Sequence, residues 1–482
     1  MVYILNNQIN VLKTIISGVE LVYNTILYTF GPGGKNVLIK RPNKIIIADD
    51  GVSVVNNIVT NDANLNIGVE LCKSISNSIN NLCGDGTTTS ILLFYYFLRN
   101  SFELINNGVD SNVLITELKD YLKKMLTLIE QEKVDITVDS LEEILLSTTN
   151  NIEIIENVKK AYQLVDTSGY ILLKRSNSID FIKHYKGYNI YINNTFETKE
   201  LNDIKVIIVN DVISSHFIMS NLNDDRYLII CLGINSSILN YYKDSNITIV
   251  SIKESTFDKE TIFQDLETLL NISYSNKTIN ISKNIDILIE NDVLILKDLT
   301  SQKLIDKLAK QMDQTLSLSK LSKLKERYAK ITKGYVVIYV SGTTEEELEN
   351  KVLIYEDAVK AGYNALKFGV CCGGGYIYYL LSKKVDGTYF YVIKESLRSL
   401  IMTLIRNSVS TAENIYQKLS LDTWVDLRTL EVMNISKISI KDSIYTIKEI
   451  LKTVINNVCL LLNTKMIIFN ENINKQTIDD LL

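Results

Sequence analysis

The run Gly84-Asp85-Gly86-Thr87-Thr88-Thr89 places a carboxylate and three hydroxyls at the point where a helical pattern begins. The first amides of a helix have no partner within it, and the helix dipole makes that end positive, so such a start attracts anions. Asp85 beside such a cradle suits Mg²⁺, which takes one or two carboxylates together with phosphate oxygens and water. A second turn, Gly31-Pro32-Gly33-Gly34, with Thr29 and Phe30 before it, offers another nest of backbone amides. Two such turns can grip one triphosphate. Neither reads GxxxxGK[ST], so this is not a P-loop. Either turn alone reads equally as a structural loop; with a third cluster, Gly373-Gly374-Gly375, the three together point to a ligand.

The elements that position these turns follow from periodicity. Apolar residues recur at helical spacing from Gln8 to Tyr28, and the helix should stop at the Gly31 turn. A hairpin is expected over Asn36–Lys40 and Lys44–Ala48, then long helices over Val52–Ile79, Thr87–Asn107 and Val113–Gln131. Ser140–Val165 reads as two shorter helices. Short strands (Val206–Val209, Tyr227–Cys231, Ile247–Ile252, Val293–Leu296) alternate with helix-like segments in the middle of the chain, an α/β pattern of a separate domain. A long helix is expected over Lys303–Lys330, a strand over Tyr335–Val340 and a helix over Glu345–Lys367. After Gly375 the remainder reads as mainly helical. Helical ends around an α/β middle imply that the chain leaves one domain and returns to it.

Composition bounds the function. With 482 residues, 46% hydrophobic and 22% charged, the chain reads as globular, with a length suited to about three domains. A net charge of -5 gives no broad basic field of the kind that neutralises nucleic-acid phosphates, so no nucleic-acid partner is expected. The apolar run Ile91–Leu98 ends at Arg99, far short of the about 20 residues a spanning helix needs, so no membrane partner is expected. Met1–Asn10 lacks the basic and apolar regions of a secretory signal, and a cytoplasmic location is expected. The six cysteines show no paired spacing and read as reduced, buried thiols.

Four runs, in this order and spacing, resemble the nucleotide-site signatures of the group I chaperonins, the GroEL type: Tyr28 to Val37, Asp50-Gly51-Val52-Ser53-Val54, Gly84 to Thr89, and Cys372 to Gly375. The likeness continues through Lys323 to Lys330, Gly334 and Tyr355-Glu356-Asp357-Ala358. It covers nearly the whole chain and is weakest between about 188 and 300. The resemblance implies a multidomain α+β fold. Its helical equatorial domain would take 1–131 and 368–482, a small intermediate domain 132–186 and 335–367, and an α/β apical domain 187–334.

The resemblance also implies an activity: hydrolysis of Mg-ATP, coupled to binding unfolded proteins within a sevenfold single or double ring of copies, with a co-chaperonin as partner. Carried over by motif, Asp85 would coordinate Mg²⁺, and Gly86, Thr87, Thr88 and Thr89 would bind phosphates. Thr29, Phe30, Gly31 and Pro32 would line the nucleotide, Gly374 its ribose side, and Glu431 would stand where the family has an Asp. Asp357 would orient the attacking water, supported by Asp50. Gly187 and Gly334 match the apical hinges. An apolar client groove would draw on Tyr191, Phe196, Phe217, Met219, Leu222, Leu239 and Tyr242.

The chain departs from the family in three places. The second groove helix is short, the adenine-side Asn-Ala-Ala run has no counterpart near Ser420–Asp422, and the glycine- and methionine-rich tail is absent. A chaperonin-derived holdase or scaffold without productive ATP cycling is the alternative reading.

Overall fold

A computed structural model describes residues 2–5, 7–40, 45–48, 51–149, 151–165, 167, 170–176, 179–185, 187–193, 199–213, 222, 225–235, 237–238, 242, 245–253, 256–272, 281–290, 293–297, 299–315, 318–332, 335–409 and 411–470. The chain forms two units, one made of Met1–Lys159 with Thr343–Leu482, the other of Lys160–Gly342.

The first unit is built around the helix Thr87–Asn106, whose residues Ile91 to Leu98 are all buried. A helix apolar on every side belongs in the middle of a core. Around it pack the helices Gln8–Ile26, Ala63–Cys83, Phe390–Ser408 and Ile444–Leu462, with Ser111–Gln131 against the last of these. The helix Gln8–Ile26 begins where Asn7 accepts the Ile9 amide (2.9 Å), and buries Val11, Leu12, Ile15, Val19, Val22 and Ile26 on one face. Small antiparallel pairs trim this bundle: Val2–Leu5 with Ile467–Asn470, Val37–Lys40 with Ile45–Ala48, Val370–Cys372 with Lys441–Ser443, and Thr423–Asp426 with Glu431–Asn434.

Two expectations for this unit are corrected. The pattern from Val52 to Ile79 is not one helix; it splits into Gly51–Asn56 and Ala63–Cys83. Asp62 accepts the Asn64 amide (2.8 Å) in an extended conformation, and a residue that caps a new helix cannot continue an old one. The segment after Gly375 also carries the hairpin Thr423–Asp426/Glu431–Asn434, turned at Leu430 with φ 62°.

In the second unit, six strands close into a barrel in the order Ile285–Glu290, Val293–Leu296, Tyr188–Asn193, Ile247–Ile252, Tyr227–Ile234 and Lys199–Ile213. Alternate residues point inward, so Tyr188, Ile190 and Ile192 face Ile204, Val206, Ile208, Leu228 and Ile230 in one core. The helix Thr256–Leu270 contributes Phe263 and Leu266 to it. A three-stranded sheet pairs Tyr335–Val340 in parallel with Tyr170–Arg175 and antiparallel with Phe181–Tyr185. The expected single helix Lys303–Lys330 is two, Gln302–Gln314 and Leu318–Thr332; Thr315 leaves the helical region (ψ 118°) and bonds back to the Gln311 carbonyl (2.6 Å). Arg327 reaches from the second of these to Asp265, donating twice, at 2.9 and 2.6 Å.

Candidate functional site

The helix Ala63–Cys83 ends and Thr87–Asn106 begins within three residues. Such a reversal requires left-handed backbone, which Gly84 (φ 72°) and Gly86 (φ 83°) supply. Gly86 is the N-cap, and among the described residues no side chain caps this helix. The amides of its first turn, at Thr87, Thr88 and Thr89, are thus left to a ligand. Asp85 Oδ1 accepts the Gly86 amide at 2.5 Å, which fixes the carboxylate beside that turn.

The second turn is braced from the far end of the sequence. Gly34 donates to the Gly31 carbonyl (2.9 Å) and Lys35 to that of Tyr28 (2.8 Å), while Asn407 Nδ2 donates to the carbonyls of Leu27 and Phe30, both at 2.8 Å. Thr29 Oγ1 donates to Ile26 O (2.9 Å). The third cluster lies between the strand Val370–Cys372 and the helix Tyr376–Lys384; the buried Trp424 donates through Nε1 to the Gly374 carbonyl (3.2 Å).

All three clusters line one cavity of about 640 Å³, within the first unit. Of the residues anticipated from sequence, Thr29, Phe30, Gly31, Pro32, Asp85, Gly86, Thr87, Thr88, Thr89, Gly374 and Asp357 are all in its lining. Asp357 comes from the helix Glu345–Phe368, far from the others in sequence. Glu431 is exposed and absent from the lining, whereas its cross-strand partner Asp426 is in it, as is Asp442. Asp442 was not anticipated. It sits on the short strand Lys441–Ser443, two residues before a helix, and that strand's pairing with Val370–Cys372 brings it to the glycine cluster.

The electrostatics of the cavity turn on two carboxylates. Burial pushes Asp442 up to about 7, and the negative charge of Asp85 adds to this; the amides of Gly375 and Gly374 oppose it. Asp85 is also raised, by burial, against the pull of the Gly86 amide. Its side chain lines the cavity and is exposed there. A buried carboxylate whose proton affinity a second carboxylate raises further marks a site short of positive charge. Beside the uncapped helix start, that donor set fits a divalent cation held with phosphate oxygens: Asp85 for the metal, the Thr87–Thr89 turn for the phosphates.

Asp50, Gly334, Phe196, Phe217, Met219 and Leu239 lie outside the described residues. Gly187 has φ 101° and opens the strand Tyr188–Asn193. Leu222 and Tyr242 pack against the cluster of Ile207, Val209, Tyr227 and Ile229, and Tyr191 against that of Val293, Ile295 and Val337. All six cysteines are free, five of them buried and Cys372 partly so.

Comparison with known proteins agrees with this architecture. Residues 22–162 match the TCP-1/cpn60 chaperonin family. A GroEL chaperonin of Acholeplasma laidlawii is 24% identical over 445 residues, covering 84% of this chain and 82% of the relative. One from Orientia tsutsugamushi is 25% identical over 520 residues, covering 95% and 92%. Among solved structures, the chaperonin gp146 of bacteriophage EL, crystallised in the presence of ATP-BeFx, superposes with a TM-score of 0.65 at 19% identity over 97% of this chain and 99% of that one. A group III chaperonin in the open state does so with a TM-score of 0.70 at 14% identity, over 96% and 99%. The chain has the multidomain chaperonin fold. Within that class its sequence is similar to those of GroEL-type chaperonins, at 24–25% identity. Among the described residues no helix is long and apolar enough to cross a membrane.

Proposed function

We propose that this chain is an ATP-hydrolysing chaperonin subunit that binds non-native proteins and assists their folding in a ring of copies. The observation that carries the reading is the convergence of an uncapped helix start, a braced amide turn, Asp85 and the distant Asp357 on one cavity. Phosphoryl transfer needs positioning and charge neutralisation more than covalent help, and these residues supply the positioning and a carboxylate to hold a neutralising cation. The amides and hydroxyls of Thr87, Thr88 and Thr89 hold phosphate oxygens, Thr29 to Pro32 and Gly374 line the nucleotide, and Asp442 adds a carboxylate near Gly374. Mg²⁺, held by Asp85, would neutralise charge on the phosphates. Asp357 orients the attacking water, with Asp50 in support.

In this reading the equatorial part takes 1–131 and 368–482, the intermediate part 132–186 and 335–367, and the apical part 187–334, pivoting at Gly187 and Gly334. The same reading has a sevenfold ring, single or double, a co-chaperonin partner and a cytoplasmic location. Clients would bind an apolar apical surface. A second reading, a holdase or scaffold without ATP cycling, draws support from the packing of Leu222 and Tyr242 on a core cluster. Steady-state ATP hydrolysis by assemblies confirmed by sedimentation separates the two: turnover supports the cycling chaperone, and its absence in the natural protein favours the holdase.

A further inference from the structure

The helix Glu345–Phe368 does more than deliver Asp357. Residues 354, 357 and 361 recur at helical spacing, and Ile354, Asp357 and Ala361 all line the cavity. On the flank of the same face stand Lys360 and Asn364, four residues apart. Both reach the end of the helix Ala63–Cys83, where the Asn80 carbonyl also accepts the Gly84 amide (2.9 Å). Lys360 Nζ donates to the Asn80 carbonyl (3.4 Å), and the buried Asn364 donates through Nδ2 to that of Cys83 (3.3 Å). A lysine at a helix C-terminus also meets the negative end of its dipole. The contact is close: a Cβ on Gly84 would stand 2.7 Å from both Cβ and Cδ of Lys360. Gly84 is therefore the point where the Asp357 helix rests on the turn that opens the phosphate cradle.

We propose that Lys360 and Asn364 are positioning residues that latch the Asp357 helix to the Gly84–Thr89 turn, so that one element carries both the water-orienting carboxylate and the clamp that sets its distance from the phosphates. The inference rests on the proposed nucleotide reading of this cavity. The latch acts through Asp357 and the turn, and touches no reacting atom. It predicts a split between binding and turnover. Without the latch the turn still binds phosphates, but Asp357 is no longer held in register with them.

The experiment compares the natural protein with Lys360→Met, which keeps the packed methylenes but removes the donor and the charge, with Asn364→Leu, with the double variant, and with Lys360→Arg. Binding of a fluorescent ATP analogue, steady-state kcat and KM, and hydrogen exchange at residues 84–87 are read for each. The double variant should bind the analogue within about twofold of the natural protein and lose about tenfold or more in kcat, the scale of a misplaced catalytic group. Exchange at 84–87 should rise, with that of the helix Ile444–Leu462 unchanged, and Lys360→Arg should keep kcat within about threefold. A double variant that binds and turns over like the natural protein, or an unaltered exchange at 84–87, overturns the latch. Failure of the natural protein to bind the analogue overturns the nucleotide reading itself, and the exchange data then judge the latch alone.

Discussion

Asp442 and Asp85 bring two carboxylates to one cavity from strands and turns more than 350 residues apart in sequence, and the charge of one raises the proton affinity of the other. The amides of Gly374 and Gly375 hold Asp442 in place but do not offset its burial. The arrangement is strained electrostatically until a cation or a proton enters.

That strain has a defined pH dependence. Asp442 titrates near 7 in the folded protein against an ordinary value of 3.8, so the folded state holds a proton that the unfolded chain has released. Its contribution to stability is complete below about pH 4, declines as pH rises to about 7, and is flat above that. Melting temperatures of nucleotide-free protein and of Asp442→Asn, measured from pH 4 to 8, should therefore diverge: the natural protein loses stability relative to the variant across that window. Parallel curves would show that the Asp442 carboxyl is not buried against Asp85.

Trp424 is the chain's one tryptophan, is fully buried, lines the cavity and donates to Gly374. Its emission should change on titration with Mg-ATP, and Trp424→Phe should abolish the signal while costing about 1 kcal/mol of stability through the lost hydrogen bond. An emission spectrum indifferent to saturating nucleotide would separate Trp424 from the bound ligand.

In the second unit, Asp265 is 1% exposed and accepts from Arg327 twice and from the Tyr188 hydroxyl at 3.2 Å. Arg327→Met strands that carboxylate and should cost about 3–5 kcal/mol in urea unfolding, whereas the double variant with Asp265→Asn should recover most of the loss. A cost below about 1 kcal/mol for the single change would mean the pair is solvated.

The turns of this site were legible because their chemistry is local: Gly84 to Thr89 and Thr29 to Gly34 each combine backbone freedom and donors within six residues. Asp442 was not legible, since Lys441-Asp442-Ser443 has no local signature and reaches the cavity only by pairing with Val370–Cys372. Glu431 illustrates the reverse. Its strand was not anticipated, and in a hairpin the side chain that lines the cavity is its partner Asp426. The breaks at Asp62 and Thr315 escaped for a related reason: apolar periodicity runs on across them, and only a side chain bonding its own backbone marks the end. The barrel of the second unit depends on long-range pairs such as Ile285 with Ile204, which periodicity alone does not encode.

Asp357 provides the most direct test of the proposed chemistry. It lines the cavity from a helix that shares no sequence neighbourhood with the phosphate turns, and Tyr355, two residues earlier, is fully buried and accepts a hydrogen bond from Asn157 Nδ2 (2.9 Å). The helix is thus held by packing on one face while it offers a carboxylate on another. Replacing Asp357 by Ala removes no buried apolar area and breaks no cap, so assembly and Mg-ATP binding should persist. Turnover should fall by about a hundredfold or more, the usual contribution of a group that orients or deprotonates an attacking water. Asp357→Asn should fall almost as far, since an amide can place a water but cannot take up its proton. Single-turnover hydrolysis, with binding measured separately by Trp424 emission, distinguishes these steps. If Asp357→Ala hydrolyses ATP at the natural rate, the water is oriented from elsewhere, and among the described residues the carboxylates left in the lining to do it are Asp85, Asp426 and Asp442.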